Sequence, residues 1–526
     1  MQAAREGRPP VIQIPGEAFE EHGTRESPKS RDSSRVASRA LRWKDRPIKT
    51  IIESLAERAA RHPDRTAIIA GSRRVTYGRL WNRARAAAGE FARSGVEPGD
   101  RVLLSAPSSP SFAYGYLGAH LLGAVAVPLD PHAPAPRREE LIRRASPKLS
   151  FGPGFRDLEE LESAPDGEDR TIELAPERLA DVLFTTGTTG RPKGVRLTHG
   201  NLAAAATHIN SVIGNREGDV EIVPLPLYHS FGLGRLRCNL VSGGTIVLVE
   251  GFRLPGEIFS ALETHQATGI VGVPAGFAVL LKFGARGLGP SAGRLRYVEI
   301  GSAPMPMAHK RALLELLPNT QLWMHYGLTE ASRSAFIEFH RHRERLDTVG
   351  LAAPGVQFQI RTEEGGQAGE GEPGLLWISG DHVSPGYWDD PELSTRIFKD
   401  GWMCTGDVAH LERDGFVVLH GRKDDMINVG GYNVSPDEVE RVLGDHPGVQ
   451  EAACVGMADP RQIAGHVVRA FVVARAGKGQ TADEELSRWT AERLESYKVP
   501  VQYRWVDSLP RTSSGKLIRA RLREEA

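Results

Sequence analysis

Cysteine is scarce in this sequence, and neither sign of charge predominates. The three cysteines, Cys238, Cys404 and Cys454, are too few and too scattered among 526 residues for a disulfide framework or a paired-cysteine metal site. Lysine and arginine together number 66, as do aspartate and glutamate, so the formal net charge is zero. This balance argues against a nucleic-acid-binding protein or a polybasic membrane-surface protein, although it permits a local basic cleft for an anionic ligand.

Long apolar runs are missing as well. The longest stretch without a charged side chain lies between Arg101 and Asp130. It is interrupted by Pro107, Pro110 and Pro128, so we predict a buried strand, a helix and a second strand there, and no transmembrane segment. The N-terminus lacks the apolar core of a signal peptide, and the few cysteines fit a reducing compartment, so the expected location is the cytoplasm.

Composition separates a tail from a large domain. Residues 1–45 are rich in Arg, Glu, Ser and Pro and poor in apolar side chains, which predicts a disordered tail; one short strand at 11–14 is the alternative. Residues 46–420 alternate between helical and strand-like apolar patterns, such as a helix over 79–93 and a strand over 101–105. This alternation predicts a large N-terminal domain of layered α/β structure.

A smaller domain is predicted at the C-terminal end. Glycine and proline cluster at 365–374, and strand-like stretches follow at 374–379 and 415–420, which indicates a β-rich subdomain closing the large domain. Residues 421–526 then show a compact α+β pattern. Ser435 is followed by a proline and, three positions on, by a glutamate, so a helix should begin there.

The sequence TTGTTGRPKG at residues 185–194 is the segment most specific to one chemistry. It follows an apolar strand predicted at 181–184. Its glycines allow tight turns that expose backbone N–H groups, its threonines add hydroxyl donors, and Lys193 adds positive charge, which together suit a polyphosphate. The GxxxxGK(S/T) spacing of a Walker loop is absent. A flexible surface loop is the alternative interpretation, and the apolar strand before the segment disfavours it.

This segment resembles the phosphate loop of the adenylate-forming, or AMP-binding, enzymes. That superfamily includes acyl- and aryl-CoA synthetases, the adenylation domains of peptide synthetases, and luciferases. Further motifs are similar to the family's elements and occur in the family's order: PLYHSFG at 226–232, YGLTE at 326–330, TGD at 405–407, GRKDDMI at 421–427 and PRTSSGK at 510–516. The match covers roughly residues 48–522 and points to the acyl- and aryl-CoA synthetase branch.

The resemblance implies roles for the matching positions in binding ATP and Mg²⁺. Glu330 would hold Mg²⁺, and Thr329 would contact the α-phosphate. Asp407 would bind both ribose hydroxyls, a bidentate role that suits a carboxylate, and Arg422 would also reach the ribose. Tyr326 would stack on adenine. The other positions assigned to ATP belong to the phosphate loop and to two short segments near adenine: Thr185, Thr186, Gly187, Thr188, Thr189, Gly190, Lys193, Gly301, Ser302, Ala303, Pro304 and Gly327.

The chemistry of this family has two steps, and the resemblance assigns residues to both. A carboxylate attacks the α-phosphate of ATP to give acyl-AMP and pyrophosphate, and a thiol then attacks the mixed anhydride to give a thioester and AMP. Lys516 would lie between the carboxylate and the α-phosphate, and His229 would lie near the acyl carboxylate and the thiol channel. Asp424 matches the hinge about which the small mobile domain rotates between the steps. Without this context Lys516 would be an exposed tail lysine.

The resemblance predicts an ATP-dependent carboxylate–CoA ligase for a fatty or aryl acid, with ATP, Mg²⁺ and coenzyme A as cofactors. The acyl pocket is expected near Phe231, Val273, Met305 and Arg333. Arg333 would pair with a second acidic group of the substrate or form a structural salt bridge. The alternatives are acyl transfer to the phosphopantetheine arm of a separate acyl carrier protein, a luciferase-like oxygenase, and a catalytically dead binding or scaffold protein.

Overall fold

The computed structural model describes residues 49–165, 174–186, 192–362, 364–429, 432–460, 466–512 and 515–525. These residues belong to one structural unit, which spans residues 42–526. The tail predicted at 1–45 lies outside the described residues. Within the described ranges, no helix is both long and apolar enough to cross a lipid bilayer.

Strands and helices alternate over most of the described chain. In chain order the strands are β1 Thr66–Ala70, β2 Arg73–Thr76, β3 Arg101–Leu104, β4 Val125–Pro128, β5 Leu149–Phe151, β6 Leu179–Thr186, β7 Pro192–Thr198, β8 Val220–Val223, β9 Thr245–Leu248, β10 Gly269–Gly272, β11 Tyr297–Ile300, β12 Gln321–Tyr326, β13 Ala335–Glu338, β14 Leu351–Ala352, β15 Gln357–Arg361, β16 Gly374–Ser379, β17 Tyr387–Trp388, β18 Phe398–Lys399, β19 Trp402–Leu411, β20 Val417–Arg422, β21 Ile427–Val429, β22 Tyr432–Val434, β23 Val449–Ala458, β24 His466–Ala474 and β25 Gln502–Trp505.

Thirteen α-helices are interspersed with these strands in the described residues, the first before β1 and the last after β25. In chain order they are α1 Ile51–Arg61, α2 Tyr77–Arg93, α3 Pro110–Leu121, α4 Ala135–Ala145, α5 His199–Ile213, α6 Ser230–Ser242, α7 Pro255–Thr264, α8 Pro274–Leu281, α9 Met307–Leu316, α10 Pro391–Ile397, α11 Pro436–Gly444, α12 Asp483–Ala491 and α13 Arg519–Glu524. The uncharged stretch after Arg101 forms β3, α3 and β4, so the prediction of a buried strand, helix and strand is confirmed.

Two mixed sheets form the framework of the large domain. The first has the order β14-β13-β12-β11-β10-β8-β9-β1-β2, and its neighbours from β12 to β1 are parallel. The second has the order β17-β7-β6-β4-β3-β5. Helix α3 contacts β1 of the first sheet and both β3 and β4 of the second, and one hydrophobic core contains residues from both sheets. The predicted layered α/β architecture is confirmed.

The topology of the first sheet gathers several motifs at one edge. Strands β8, β10, β11 and β12 run parallel to one another in a continuous part of the sheet. The segments that leave their carboxyl ends contain His229, Val273, Gly301 and Glu330, respectively. Because the carboxyl ends of parallel strands lie at the same edge of a sheet, residues distant in sequence are brought toward one crevice.

The C-terminal part of the chain is rich in β-structure. Strands β15, β16, β19 and β18 form one sheet with β20 paired to β19, as expected for the predicted β-rich subdomain. After it, β23, β24 and β25 form a smaller sheet that packs with α11 and α13. Helix α11 begins where predicted, because the Ser435 hydroxyl accepts a hydrogen bond from the N–H of Glu438. A large N-terminal and a small C-terminal domain are thus confirmed; the boundary between 420 and 421 stays a prediction.

Candidate active site

The predicted phosphate loop lies at the turn between β6 and β7. Thr185 pairs with Lys193 in the register of this antiparallel hairpin, and the Thr185 hydroxyl donates to the Lys193 carbonyl over 3.5 Å. The backbone of Thr186 pairs with Pro192. Positions 187–190, which include the predicted glycine and threonine contacts, lie outside the described residues. The structure therefore places the base of the loop, and the phosphate contacts stay predictions.

A buried ionic network supports the base of this hairpin. The Asp181 carboxylate in β6 accepts hydrogen bonds from Tyr116 over 3.0 Å and from Arg237 over 2.6 Å, and His120 Nε2 lies 2.8 Å from it. Burial opposes ionisation of Asp181, but the Arg237 and His120 side chains outweigh it and lower the pKa of the carboxyl. Since Arg237 lies on α6 and His120 on α3, the network fixes the strand that leads into the loop.

Two buried histidines on α5 predict that acid destabilises the fold. Burial lowers the pKa of His199 to about 3 and the pKa of His208 to about 4. Below pH of about 6.5 the unfolded chain therefore binds protons that the folded chain does not, and stability is lost as the pH falls from that value toward 4. Each histidine contributes a slope of up to about 1.4 kcal/mol per pH unit in this window.

The measurement is the thermal midpoint of the protein and of His199→Phe between pH 7 and pH 4.5. Both His199 ring nitrogens lack a hydrogen-bond partner among the described residues, so the substitution removes no described hydrogen bond. We expect the variant to lose less stability on acidification than the unsubstituted protein. Parallel pH profiles for the two proteins would contradict the prediction.

Asp407, Arg422 and Tyr326 are brought together, as predicted for a ribose and adenine site. Asp407 and Arg422 face each other across β19 and β20, and the guanidinium donates to the carboxylate over 2.9 Å. Arg422 also donates to the Thr405 carbonyl over 2.8 Å. The Tyr326 hydroxyl donates to the other carboxylate oxygen of Asp407, and burial raises the pKa of this phenol well above its ordinary value. The carboxylate is therefore held in a fixed orientation.

Glu330 lies in the turn that follows β12, directly after the partly buried Thr329. Its side chain is 9% exposed, and one carboxylate oxygen accepts a hydrogen bond from the Tyr387 hydroxyl over 2.8 Å. Among the described residues, none donates a hydrogen bond to the other oxygen. The Lys193 ammonium lies 5.9 Å from the centroid of the Tyr387 ring. One tyrosine thus contacts both the phosphate-loop lysine and the acid predicted to hold Mg²⁺.

The two segments predicted near adenine follow neighbouring parallel strands. Residues 301–304, which are Gly301, Ser302, Ala303 and Pro304, follow β11, and Gly327 follows β12. Ser302 has a φ of 76°, a left-handed conformation that few side chains adopt. At Gly327 a Cβ would lie 2.3 Å from the backbone nitrogen of Arg333, so only glycine allows this turn to fold back so closely.

Lys516 approaches the large domain near His229. Gly515 has a φ of 83°, and a Cβ built there would lie 3.8 Å from the Cβ of Ala275 at the start of α8. Burial lowers the pKa of His229, and the Lys516 ammonium lowers it further while Asp130 opposes both. The Lys516 side chain is exposed and forms no ion pair within the described ranges. Its charge is therefore available to a ligand beside His229.

Arg333 forms a structural ion pair. Its Nε donates to Glu299 over 2.6 Å, and the side chain is 2% exposed. The guanidinium lies 4.6 Å from the centroid of the Phe231 ring. It occupies space left by Gly234, where a Cβ would lie 2.6 Å from Nη1 of Arg333. Of the two roles considered from the sequence, these contacts favour the salt bridge. The other predicted pocket positions are the buried Met305 and the partly buried Val273.

Glu299 is the centre of a larger charged cluster beneath these residues. Arg235 Nη1 lies 3.0 Å and His325 Nδ1 lies 2.8 Å from its carboxylate. Arg235 also pairs with the buried Glu221. Burial opposes ionisation of Glu299, but the two arginines outweigh it and hold the pKa far below its usual range. Two guanidinium groups balance two carboxylates, so the cluster carries no excess charge.

Asp424 lies in a short 3₁₀ turn, Lys423–Asp425, directly after β20. The Arg523 guanidinium in α13 donates to the Asp424 carbonyl over 3.1 Å and also pairs with the Asp425 carboxylate. The helix after Lys516 is thereby attached to the segment predicted to be the hinge. The hinge role itself stays a prediction.

Tyr387 is the site residue that sequence reasoning missed. It belongs to no motif used above and lies on the two-residue strand β17, far from Glu330 in sequence. No local sequence pattern points to it, because only the pairing of β17 with β7 in the folded structure brings Tyr387 beside the phosphate-loop hairpin.

Comparison with known proteins identifies the family. The model of the AMP-binding enzymes matches residues 55–388, and the model of the AMP-binding enzyme C-terminal domain matches residues 438–516. A feruloyl-CoA synthase of an Amycolatopsis species is 31% identical over 89% of this chain and 97% of its own length. The long-chain-fatty-acid–CoA ligase of Bacillus subtilis is 29% identical over 91% of this chain and 95% of its own length.

A solved structure adds information on ligands. The o-succinylbenzoate coenzyme A synthetase of Bacillus subtilis, in complex with ATP and magnesium ion, superposes with a TM-score of 0.79 at 28% identity, over 89% of this chain and 98% of that chain. The chain described here belongs to the AMP-binding enzyme family. The predictions of the adenylate-forming superfamily, of an AMP-forming acid–thiol ligase, and of ATP, Mg²⁺ and coenzyme A as cofactors are confirmed.

Among the described residues, Glu330 is suited to hold Mg²⁺ together with ATP. These residues contain no group of three or more His, Cys, Asp or Glu side chains that could enclose a metal. Glu330 offers a carboxylate oxygen to which no described residue donates a hydrogen bond. Mg²⁺ usually takes one or two protein carboxylates and completes its coordination with phosphate oxygens and water. Glu330 together with the phosphates of ATP meets that requirement.

Proposed function

We propose that this protein is an ATP-dependent carboxylate–CoA ligase that forms an acyl-AMP intermediate from a fatty or aryl acid and transfers the acyl group to coenzyme A. The observation that carries the proposal is the approach of the Lys516 segment to the start of α8, where Gly515 lies close to Ala275 and the Lys516 ammonium is near enough to the half-buried His229 to lower its pKa. An exposed positive charge here supports a site at which two anions meet. The hydrogen-bonded pair of Asp407 and Arg422 and the buried carboxylate of Glu330 support a nucleotide and metal site in the same domain.

Each described group has a role that its chemistry supports in the first step. The Lys516 ammonium lies between the substrate carboxylate and the α-phosphate, where it offsets the negative charge that develops during attack. The Thr329 hydroxyl donates to the α-phosphate. Asp407 accepts the ribose hydroxyls while Arg422 fixes the orientation of its carboxylate. Glu330 holds Mg²⁺, which when bound offsets the charge of the phosphates and of the pyrophosphate leaving group.

The second step requires Lys516 to leave. We place the domain boundary between 420 and 421, so that residues 421–526 rotate about Asp424 and open a path for the thiol. His229, whose lowered pKa keeps the imidazole uncharged, lies beside the acyl group without attracting a second anion. A separate acyl carrier protein is the alternative thiol donor to coenzyme A.

The proposal predicts pyrophosphate release that depends on a carboxylic acid. Purified protein should release pyrophosphate from ATP and Mg²⁺ in the presence of some members of a panel of fatty and aryl acids. Addition of coenzyme A should convert the bound acyl-AMP to a free thioester and raise turnover. The measurements are radiolabelled pyrophosphate exchange and mass spectrometry of the products, with and without coenzyme A.

The outcomes distinguish the alternatives. If acyl-AMP forms but no thioester appears until a phosphopantetheinylated carrier protein is added, the thiol donor is the carrier protein and not coenzyme A. Oxygen consumption after adenylation would indicate an oxygenase. A folded protein that neither binds ATP nor supports exchange with any acid would contradict the enzyme proposal altogether.

A further inference from the structure

Tyr387 is held rigidly between the phosphate-loop hairpin and Glu330. Its backbone pairs with Val195 in the phosphate-loop hairpin, and its N–H donates to the Ser394 hydroxyl over 2.8 Å. The ring packs against Phe398 with centroids 5.5 Å apart, and the residue is 6% exposed. These contacts leave the side chain little freedom to change rotamer.

The aromatic ring and the hydroxyl of Tyr387 make different contacts. The ring lies 5.9 Å from the Lys193 ammonium, within the range in which a cation is attracted to an aromatic face. The hydroxyl donates to one oxygen of Glu330 over 2.8 Å. Glu330 also has a fixed backbone, because its carbonyl accepts a hydrogen bond from the N–H of Ser384 over 2.8 Å. The phosphate-loop lysine and the acid are therefore joined through one aromatic residue.

We propose that Tyr387 is a positioning residue for the magnesium–ATP complex: its hydroxyl orients Glu330 toward the metal, and its ring sets the place of Lys193 at the polyphosphate. The inference rests on the proposed function, in which Glu330 holds Mg²⁺ and Lys193 contacts the phosphates. By engaging one carboxylate oxygen, the hydroxyl leaves the other available to the metal. Hydrogen bonds of this kind to metal-ligating carboxylates commonly contribute tenfold to a hundredfold to metal affinity.

The two contacts can be separated by substitution. Tyr387→Phe keeps the ring beside Lys193 and removes only the hydroxyl that reaches Glu330. Tyr387→Leu removes the hydroxyl and also the aromatic face. If the ring and the hydroxyl act as proposed, the first variant changes the response to Mg²⁺ alone, and the second changes the responses to both Mg²⁺ and ATP.

The chain offers a matched control. The Tyr114 hydroxyl donates to a carboxylate oxygen of Glu162 over 3.2 Å, and Tyr114 is itself buried. Tyr114 lies on α3, outside the motifs assigned to ATP. Tyr114→Phe therefore deletes the same type of hydrogen bond from a buried tyrosine without touching the candidate site.

The experiment measures the thermal stabilisation of each protein by ATP as free Mg²⁺ is varied, so the readout does not depend on catalysis. We expect Tyr387→Phe to raise the Mg²⁺ concentration at half-maximal stabilisation about tenfold or more, with little change in the ATP requirement at saturating Mg²⁺. Tyr387→Leu should raise both, and Tyr114→Phe should raise neither. Pyrophosphate exchange over the same Mg²⁺ series should show the same order.

Different negative results would contradict either the positioning role of Tyr387 or the proposed function. Unchanged Mg²⁺ dependence in Tyr387→Phe, or an equal change in Tyr114→Phe, would overturn the positioning role while leaving the proposed function intact. Failure of ATP and Mg²⁺ to stabilise the unsubstituted protein would contradict the proposed function and this inference together. If Tyr387→Leu does not fold, Tyr387→Phe alone still decides the role of the hydroxyl.

Discussion

Lys516→Ala is expected to cripple acyl-AMP formation and to leave thioester formation from supplied acyl-AMP close to normal. Lys516 carries an exposed ammonium without an ion pair in the described structure, and this charge lowers the pKa of His229. Deleting a charge that stabilises a developing anion costs about 3 kcal/mol, which is roughly a hundredfold in rate. After the small domain has rotated, the lysine is distant from the reacting carbonyl, so the second step does not depend on it.

Both half-reactions must be measured on the same preparation, with pyrophosphate exchange for the first and synthetic acyl-AMP plus coenzyme A for the second. Lys478→Ala is the matched control, because Lys478 is an exposed lysine of the same small domain outside the PRTSSGK motif. Loss of both steps would indicate a folding defect. Loss of neither would show that Lys516 is a solvated surface residue.

Asp424→Pro is expected to slow thioester formation and largely to spare acyl-AMP formation, which is the opposite of the effect of Lys516→Ala. In the conformation described here Asp424 lies in the first turn of a 3₁₀ helix, where the fixed φ of proline is tolerated. Rotation of the small domain requires a different backbone angle at the hinge, and holding a residue in an unfavourable region costs about 1–3 kcal/mol. Thioester formation should therefore slow roughly tenfold to a hundredfold, while adenylation is largely kept.

The control for this variant is Asp424→Ala, which removes the side chain but leaves the backbone angle free. It should preserve both half-reactions, because the Arg523 contact at this position is to the Asp424 carbonyl and not to its carboxylate. An equal loss of both steps in a folded Asp424→Pro would contradict the rotating-domain account. An equal effect of alanine and proline would assign the role to the carboxylate instead of the backbone.

Features that depend on residues close together in the chain, such as helix caps and strand bounds, could be predicted from the sequence. The start of α11 follows from the side-chain cap at Ser435, and β16 occupies the predicted residues 374–379. The start of α2 differs, at Tyr77 instead of 79, because the Thr76 hydroxyl accepts a hydrogen bond from the N–H of Arg79 and so caps the helix two residues earlier. The same holds for the candidate site: Thr329 with Glu330 could be found because they share one contiguous motif.

Contacts that depend on packing could not be predicted in this way. Tyr387 meets Glu330 only because β17 pairs with the phosphate-loop hairpin, and a two-residue strand has almost no sequence signal. The Arg333 side chain is directed to Glu299 by the space that Gly234 leaves in a facing helix. Such partners are chosen by the three-dimensional arrangement of elements, which the local pattern of apolar residues does not encode.

The absence of a side chain at Gly234 has a consequence for how this sequence can evolve. Any side chain there would displace the Arg333 guanidinium, and the buried Glu299 would then keep only its contacts with Arg235 and His325. Removal of one partner from a buried ion pair typically costs about 3–5 kcal/mol, so replacement of Glu299 or Arg333 alone should be purged by selection, and a side chain at Gly234 should be disfavoured with them. Among descendants of this chain, Gly234, Glu299 and Arg333 should therefore be inherited together or exchanged together, as one covarying unit.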